Sequence, residues 1–153
     1  MKVLIVSDSH GDVENMCRAV ELVKPRMLLH LGDGWHDTEL LAERYPELPM
    51  ERVPGNCDFR RGESAERVIL LGGKRTLLCH GHTQGVKTGL GMLLRTALEK
   101  GVSAAFFGHT HRPFVDIRSG VLLLNPGSIG GWEPSYATLD LSGGGFSPAV
   151  HLL

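Results

Sequence analysis

The chain has 153 residues, of which 42% are hydrophobic and 22% are charged, so it carries enough apolar material for one globular domain over residues 1–153 and is not intrinsically disordered. Sixteen lysines and arginines against seventeen acidic residues give a formal net charge of −1, which argues against a broadly basic nucleic-acid binder. Three cysteines far apart in the sequence exclude a disulfide framework and favour a reducing compartment.

The first part of the chain alternates strand and helix patterns. Short apolar runs predict strands over residues 2–7, 27–31 and 50–53. Helices are predicted over residues 13–23 and 38–44. Asp12 is placed to cap the first helix, which Pro25 ends, and Asp37 or Thr38 is placed to cap the second. This order predicts parallel strands whose C-terminal ends share an edge, where the ligand sites of such sheets lie.

The second part of the chain is mainly β. A hairpin is predicted from residues 67–71 and 76–79 across the turn GGKR, and a helical stripe covers residues 90–98. Further strands are predicted over residues 102–107, 114–118, 121–124, 136–141 and 146–152. The economical architecture for these elements is two sheets packed face to face, with the helices outside.

Five successive loops at predicted strand ends carry side chains that bind metals. These side chains are Asp8, His10, Asp33, Asn56, His80, His82, His109 and His111. Carboxylate, imidazole and amide groups together are the ligands of divalent metals of intermediate hardness. Each of these loops taken alone is explained by turn chemistry or by a surface histidine. Their recurrence in five loops, with five of the eight histidines among them, favours a metal site at one edge of the sheet.

Read together, these loops resemble the calcineurin-like metallophosphoesterase superfamily. The motifs that carry the resemblance are DSH (8–10), GD (32–33), GNCD (55–58), HGH (80–82) and GHTH (108–111). The small size of the chain and the NPGS sequence at 125–128 resemble its compact branch of bacterial and archaeal phosphodiesterases. The eukaryotic retromer scaffold subunit belongs to the same branch.

The resemblance implies a fold, a metal centre and a reaction. The fold would be a four-layer α-β-β-α sandwich of two mixed sheets flanked by helices, and the site would hold two divalent ions. The implied first-metal ligands are Asp8, His10 and His111, the second-metal ligands are Asn56, His80 and His109, and the bridging ligand is Asp33. Manganese is the favoured ion, with nickel, iron, zinc or magnesium as substitutes. The implied reaction is hydrolysis of a phosphodiester by a metal-activated hydroxide.

The chain departs from much of the superfamily at Cys57, where many members have a histidine that assists the leaving group. A thiol is a poor substitute for imidazole as a proton donor. We therefore expect either a preference for good leaving groups or a borrowed acid, with His82 as the first candidate and His36 as the second. The alternative interpretation of Cys57 is a small packing residue.

Several residues next to these motifs are candidates for substrate binding. Asn56 is expected to reach the substrate through its amide, and Arg60, Arg61 and Arg112 to hold the phosphate, against the alternative of solvated surface arginine. The tryptophans Trp35 and Trp132 either stack on an organic group or pack in the core or an interface. We expect Asn125 and Ser128 to shape a loop near the metals.

Two other functions stay open at this point. One is a non-catalytic or weakly catalytic scaffold on the same fold, and the other is a phosphomonoesterase or nucleotidase. All seven ligand positions are filled by residues that can bind metals, which favours the enzyme over the scaffold. We expect a cytoplasmic protein with a small phosphoester substrate and no stable nucleic-acid binding. We expect no membrane partner, because the sequence has no apolar run near the ~18 residues of a membrane span. A homo-oligomer is compatible with the sequence.

Overall fold

The computed structural model of the chain describes residues 1–59 and 62–153. The described strands are β1 (Lys2–Val6), β2 (Met27–His30), β3 (Met50–Arg52), β4 (Glu66–Leu71), β5 (Lys74–Cys79), β6 (Ala104–Phe106), β7 (Phe114–Arg118), β8 (Val121–Asn125), β9 (Ser135–Asp140) and β10 (Ser147–Leu152). The described α-helices are α1 (Val13–Val23), α2 (Trp35–Arg44) and α3 (Gly91–Lys100). A short 3₁₀ turn covers Ser142–Gly144. The strands predicted from the sequence are all present, with ends shifted by a few residues.

The strands form two mixed five-stranded sheets. The first sheet has the order β10-β9-β1-β2-β3, and the second has the order β4-β5-β6-β8-β7. In each sheet three neighbouring strands are parallel, β1-β2-β3 in one and β5-β6-β8 in the other. The remaining strands add antiparallel to these cores. The parallel strands matter for function, because their C-terminal ends open toward the polar loops.

The side chains of β1 alternate between two hydrophobic clusters. Val3 and Ile5 lie in the cluster between the two sheets, with Phe106 of β6. Leu4 and Val6 point the other way and pack with Met16 of α1. Because successive side chains of a strand point to opposite faces, this one strand has a helix on one side and a sheet on the other.

The second sheet also packs one face against the other sheet and the opposite face against a helix. Leu78 of β5 lies between the sheets, whereas Leu77 and Cys79 pack with Leu93 and Ala97 of α3. The layers therefore run from helices to sheet to sheet to helix, which confirms the predicted four-layer α-β-β-α sandwich.

The ends of the first helices bear out one capping prediction and correct the other. Asp12 caps α1 as predicted, since its Oδ1 accepts a hydrogen bond from the backbone N–H of Asn15 at 3.0 Å. Helix α2 begins at Trp35, three residues earlier than predicted, so Asp37 and Thr38 lie within its first turns and cap nothing there. None of the described helices is both long and apolar enough to cross a membrane.

Candidate metal centre

Four loops that follow parallel strands bring six of the predicted ligands together. Asp8 and His10 follow β1, Asp33 follows β2, His80 follows β5, and His109 and His111 follow β6. The sequence separation of up to 103 residues between Asp8 and His111 is closed because β1 and β6 pack face to face in the same cluster. Both sheets therefore contribute ligands to one end of the sandwich.

Asp8 lies at the centre of this group. Its Oδ1 is 3.2 Å from His111 Nε2 and 3.7 Å from the Nε2 atoms of both His10 and His80. Asp8 is fully buried, and its Oδ2 accepts a hydrogen bond from Ser7 Oγ at 2.6 Å, but Oδ1 has no hydrogen-bond partner among the residues that the structure describes. A buried carboxylate oxygen without a donor is unfavourable unless a cation meets it. The residues present thus fit a bound metal ion.

Asp33 has the position that a bridging ligand needs. Its Oδ2 is 3.3 Å from His80 Nε2 and 3.6 Å from His10 Nε2, which belong to different predicted metal ions. Its Oδ1 is occupied, because it accepts the backbone N–H of Cys57 at 2.8 Å. Burial opposes ionisation of Asp33, but its interaction with the charged form of His80 and the hydrogen bond from the backbone of Cys57 prevail and lower its pKa below the usual range. One oxygen of Asp33 therefore faces both ligand sets as an anion.

The His80 ring is fixed by a backbone carbonyl. Its Nδ1 donates to Leu31 O at 2.7 Å, so in the neutral ring the lone pair lies on Nε2. That Nε2 is 3.2 Å from His109 Nδ1. Burial lowers the pKa of His80, but Asp33 and Asp8 outweigh it and the net shift is upward. Burial and the neighbouring His80 lower the pKa of His109, which favours the neutral form of the ring, the form that binds metal ions.

The backbone of the site is unusual as well. Seven described residues other than glycine have a positive φ, and five of them are predicted metal ligands: Asp8 (54°), His10 (44°), Asp33 (59°), His109 (70°) and His111 (62°). Such conformations are uncommon for residues with a side chain and tend to cluster at functional sites. This clustering is a second observation, independent of side-chain chemistry, that points to the same residues.

A buried network that the sequence interpretation missed links the first two ligand loops. His30 Nδ1 accepts the N–H of Gly32 at 3.1 Å, so its Nε2 carries the proton and donates to Ser9 Oγ at 2.9 Å. Ser9 Oγ in turn donates to Asp37 Oδ2 at 2.7 Å, and Asp37 also accepts the N–H of Gly11. Burial lowers the pKa of His30 to about 4, so the ring is neutral. The one signal in the sequence is a histidine inside the apolar run MLLHL.

Asp58 is the second positioning residue that was missed. Its carboxylate accepts backbone N–H groups from Asp33 (2.7 Å), Gly55 (2.9 Å), Trp35 (3.1 Å) and Gly34 (3.3 Å). It therefore caps α2 from another loop, which explains why no side chain of α2 itself does so. Its signal in the sequence is its place as the fourth residue of the GNCD motif (55–58).

The two neighbours Asn56 and Cys57 lie at the surface. Asn56 is exposed, and its Nδ2 is 3.6 Å from Cys57 Sγ, so its role as a ligand and substrate contact stays a prediction. Cys57 is exposed too, and its Sγ lies within 4.8 Å of ligand atoms of His10 and Asp33. Cys57 is therefore not a packing residue but the thiol nearest the candidate centre among the described cysteines.

The two candidate acids differ in placement. The His82 ring lies 5.5 Å from the His80 ring and 6.2 Å from the His109 ring, between centroids. Its Nδ1 is buried and has no hydrogen-bond partner within residues 1–59 and 62–153, and burial, with the neighbouring His80, lowers its pKa. His36 is exposed on α2. The roles of both histidines in the reaction stay predictions.

The remaining candidates fall into three groups. Arg60 and Arg61 lie outside the described residues, so their phosphate-binding role stays a prediction. Asn125 and Ser128 contact the loops of the predicted ligands, since Asn125 Nδ2 donates to Gly108 O at 3.0 Å and Ser128 Oγ donates to Asp8 O at 2.8 Å. Arg112 is exposed beside His111.

Comparison with known proteins agrees with the geometry. Residues 1–144 match the model of the calcineurin-like phosphoesterase superfamily domain. The probable metallophosphoesterase YsnB of Bacillus subtilis (strain 168) is 35% identical over 133 residues, which cover 84% of this chain and 75% of that protein. A conserved uncharacterized protein from Streptococcus pneumoniae TIGR4, a predicted phosphoesterase, has a TM-score of 0.82 at 27% identity, covering 99% of this chain and 88% of that one. An archaeal phosphodiesterase shares the fold at 22% identity, with a TM-score of 0.74 over 99% of this chain and all of that one.

Proposed function

The chain belongs to the calcineurin-like phosphoesterase superfamily, and we propose that it hydrolyses phosphodiesters with two divalent metal ions in its site. The observation that carries the proposal is the meeting of Asp33 and three imidazoles, those of His10, His80 and His111, around the buried Asp8 Oδ1, which has no hydrogen-bond partner among the described residues. The archaeal neighbour of the same fold, which is named a phosphodiesterase, supports the choice of diesters.

The ligands divide into two sets around Asp33. The first set is Asp8, His10 and His111, whose ligand atoms lie within 4.8 Å of one another. The second set is His80 and His109, whose nitrogens are 3.2 Å apart, together with Asn56. Asp33 Oδ2 faces both sets and would serve both ions. Manganese is the ion we favour for these carboxylate and imidazole groups, with nickel, iron, zinc or magnesium as substitutes.

When bound, two such cations supply Lewis acidity toward phosphate oxygens and lower the pKa of a coordinated water. Hydrogen bonds within the chain orient the two carboxylate ligands for metal binding. Ser7 occupies one oxygen of Asp8, and the N–H of Cys57 occupies one oxygen of Asp33, so the other oxygen of each faces the site. The side chains of His10 and His111 are 39% and 48% exposed, so a phosphoester reaches this end of the sandwich from solvent.

The test is hydrolysis by metal-free protein to which Mn²⁺ is returned. Bis(p-nitrophenyl) phosphate is the diester, p-nitrophenyl phosphate is the monoester, and bound metal is counted in parallel. Asp33→Asn is expected to lower kcat/KM by about 10²-fold or more, because the shared anion is lost. Asp116→Asn is the matched control, since Asp116 is an exposed β7 residue paired with Arg118, and it keeps wild-type activity.

Each other outcome selects a different function. Faster turnover of the monoester makes the protein a phosphomonoesterase. One bound metal ion at full activity refutes the two-metal site. Metal binding without hydrolysis of either substrate supports the scaffold alternative. Hydrolysis that survives both removal of metal and Asp33→Asn refutes the proposal as a whole.

A further inference from the structure

The structure separates the two tryptophans that the sequence left equivalent. Trp35 is buried, and the guanidinium of Arg52 lies 3.8 Å from its ring centroid. Trp132 is 99% exposed. Tryptophan is highly buried on average in folded proteins, so an indole held in solvent is best explained by a ligand that covers it.

Trp132 lies in a groove that begins at the candidate metal centre. The groove has a volume of about 420 Å³, and His111, a predicted ligand of the first metal, is one of its lining residues. Pro113, Trp132 and Leu152 give it apolar walls, and Leu152 is 73% exposed. A volume of this size suits one organic group beside the phosphate position.

The loop before Trp132 is attached to the first ligand loop. Ser128 Oγ donates to Asp8 O at 2.8 Å, and Ile129 N donates to Ser7 O at 3.0 Å. A side chain at Gly130 would collide with the carbonyl oxygen of Ser9, so the two loops are in close contact. The loop thus contacts Ser7, Asp8 and Ser9. The segment that carries Trp132 therefore has a fixed position relative to the predicted ligand Asp8.

Two charged residues that line the groove favour different parts of a ligand. Arg112, next to His111 in the sequence, is positive and suits the single negative charge of a phosphodiester. Glu133, next to Trp132 in the sequence, is negative and repels a second anionic group beside the indole. The indole therefore suits a planar group without negative charge, whose ring stacks on it.

We propose that this groove binds an uncharged planar aromatic ester group of the substrate by stacking on Trp132. The inference rests on the proposed function and narrows its substrate class to aryl or nucleoside phosphodiesters that carry no further anionic group next to the ring. A nucleobase and a simple aryl ring share this chemistry, and the test below distinguishes them.

The first experiment measures binding without turnover. Diphenylphosphinate and dimethylphosphinate carry the same single charge and have no ester bond to hydrolyse, so they differ in the rings alone. Calorimetric titration of Mn²⁺-loaded protein is expected to show a preference for the diphenyl compound of about 5-fold to 100-fold, the range that base–aromatic stacking supplies. Trp132→Ala is expected to abolish the preference, and Trp132→Phe to retain part of it.

Phe59→Ala is the matched control, since Phe59 is 96% exposed and does not line the groove. It is expected to leave the ring preference unchanged. Titration with (5′-deoxythymidin-5′-yl)methylphosphinate, which also has no ester bond, in the same series tells a nucleobase from a simple aryl ring, by whether Trp132→Ala weakens its binding as well. Glu133→Gln is expected to improve binding of bis(4-carboxyphenyl)phosphinate and to leave diphenylphosphinate unaffected.

The outcomes separate this inference from the proposed function. A ring preference that depends on Trp132 in a protein without hydrolytic activity supports the groove and refutes the diesterase. Hydrolysis with an unchanged ring preference in Trp132→Ala overturns the groove alone. A preference lost in Phe59→Ala instead, or no binding of either phosphinate, overturns it too. A dimer in sedimentation that Trp132→Ala dissociates shows that a second copy covers the indole, and also overturns it.

Discussion

Replacing Asp58 tests how the ligand loops are held in place. Its carboxylate accepts four backbone N–H groups, from Asp33, Gly34, Trp35 and Gly55. Asp58→Ala removes the acceptor of all four N–H groups. The loss of the two shortest bonds, from Asp33 and Gly55, together with the loss of the α2 cap, costs about 3–5 kcal/mol of unfolding free energy. Asp58→Asn keeps one acceptor oxygen and loses the charge, so we expect it to lower the unfolding free energy by about 1–2 kcal/mol.

The assay is urea unfolding of the metal-free protein, followed by calorimetric titration with Mn²⁺. With a urea dependence near 2 kcal/mol per molar, Asp58→Ala is expected to shift the midpoint down by on the order of 2 M. Mn²⁺ affinity in Asp58→Asn is expected to fall by about 10-fold to 100-fold, as when other groups that orient metal ligands are replaced.

Asp12→Ala is the matched control for this variant. Asp12 caps α1 through a single hydrogen bond to Asn15, so its loss costs about 1 kcal/mol and leaves Mn²⁺ affinity unchanged. The reasoning is refuted if Asp58→Ala is no less stable than Asp12→Ala, or if Asp58→Asn binds Mn²⁺ as the wild type does.

Three further outcomes are expected. The pKa of buried His30 is about 4, against an ordinary value of 6.5. Between these pH values the unfolded chain binds one more proton than the folded chain, so the unfolding free energy of the metal-free protein falls by about 3 kcal/mol as the pH drops. His30→Asn should remove this part of the pH dependence in urea unfolding, and an unchanged pH dependence contradicts its assignment to His30. A methyl group at Gly34 would collide with Ser9 and His30, so Gly34→Ala should destabilise by about 1–3 kcal/mol in thermal unfolding, whereas Gly91→Ala, in open space at the start of α3, should not. His82→Ala should lower the hydrolysis rate of an alkyl phosphodiester by about 10²-fold and that of an aryl diester far less; an untouched alkyl rate rules His82 out as the acid.

Much of the fold was readable because local patterns carry it. The strand runs and the helix over residues 13–23 have the periodicity and caps that their structures need, so their positions were predicted within a few residues. The start of α2 was not, because its cap is Asp58, which lies 23 residues beyond Trp35 in another loop. A capping residue close in sequence is a local signal, and a capping residue from elsewhere is not.

The sequence by itself determined which side chains able to bind metals the protein offers, because carboxylates and imidazoles recur where strands end and six of them come from loops that parallel strands direct to one place. Tertiary structure alone decided which oxygen of Asp8 stays unpaired, which oxygen of Asp33 faces both ligand sets, and that His30 and Asp58 hold the loops. It also decided that Trp35 is buried and Trp132 exposed. The reason is that residue type and strand order are properties of neighbours along the chain, whereas hydrogen-bond partners and burial depend on which distant segments pack against each other.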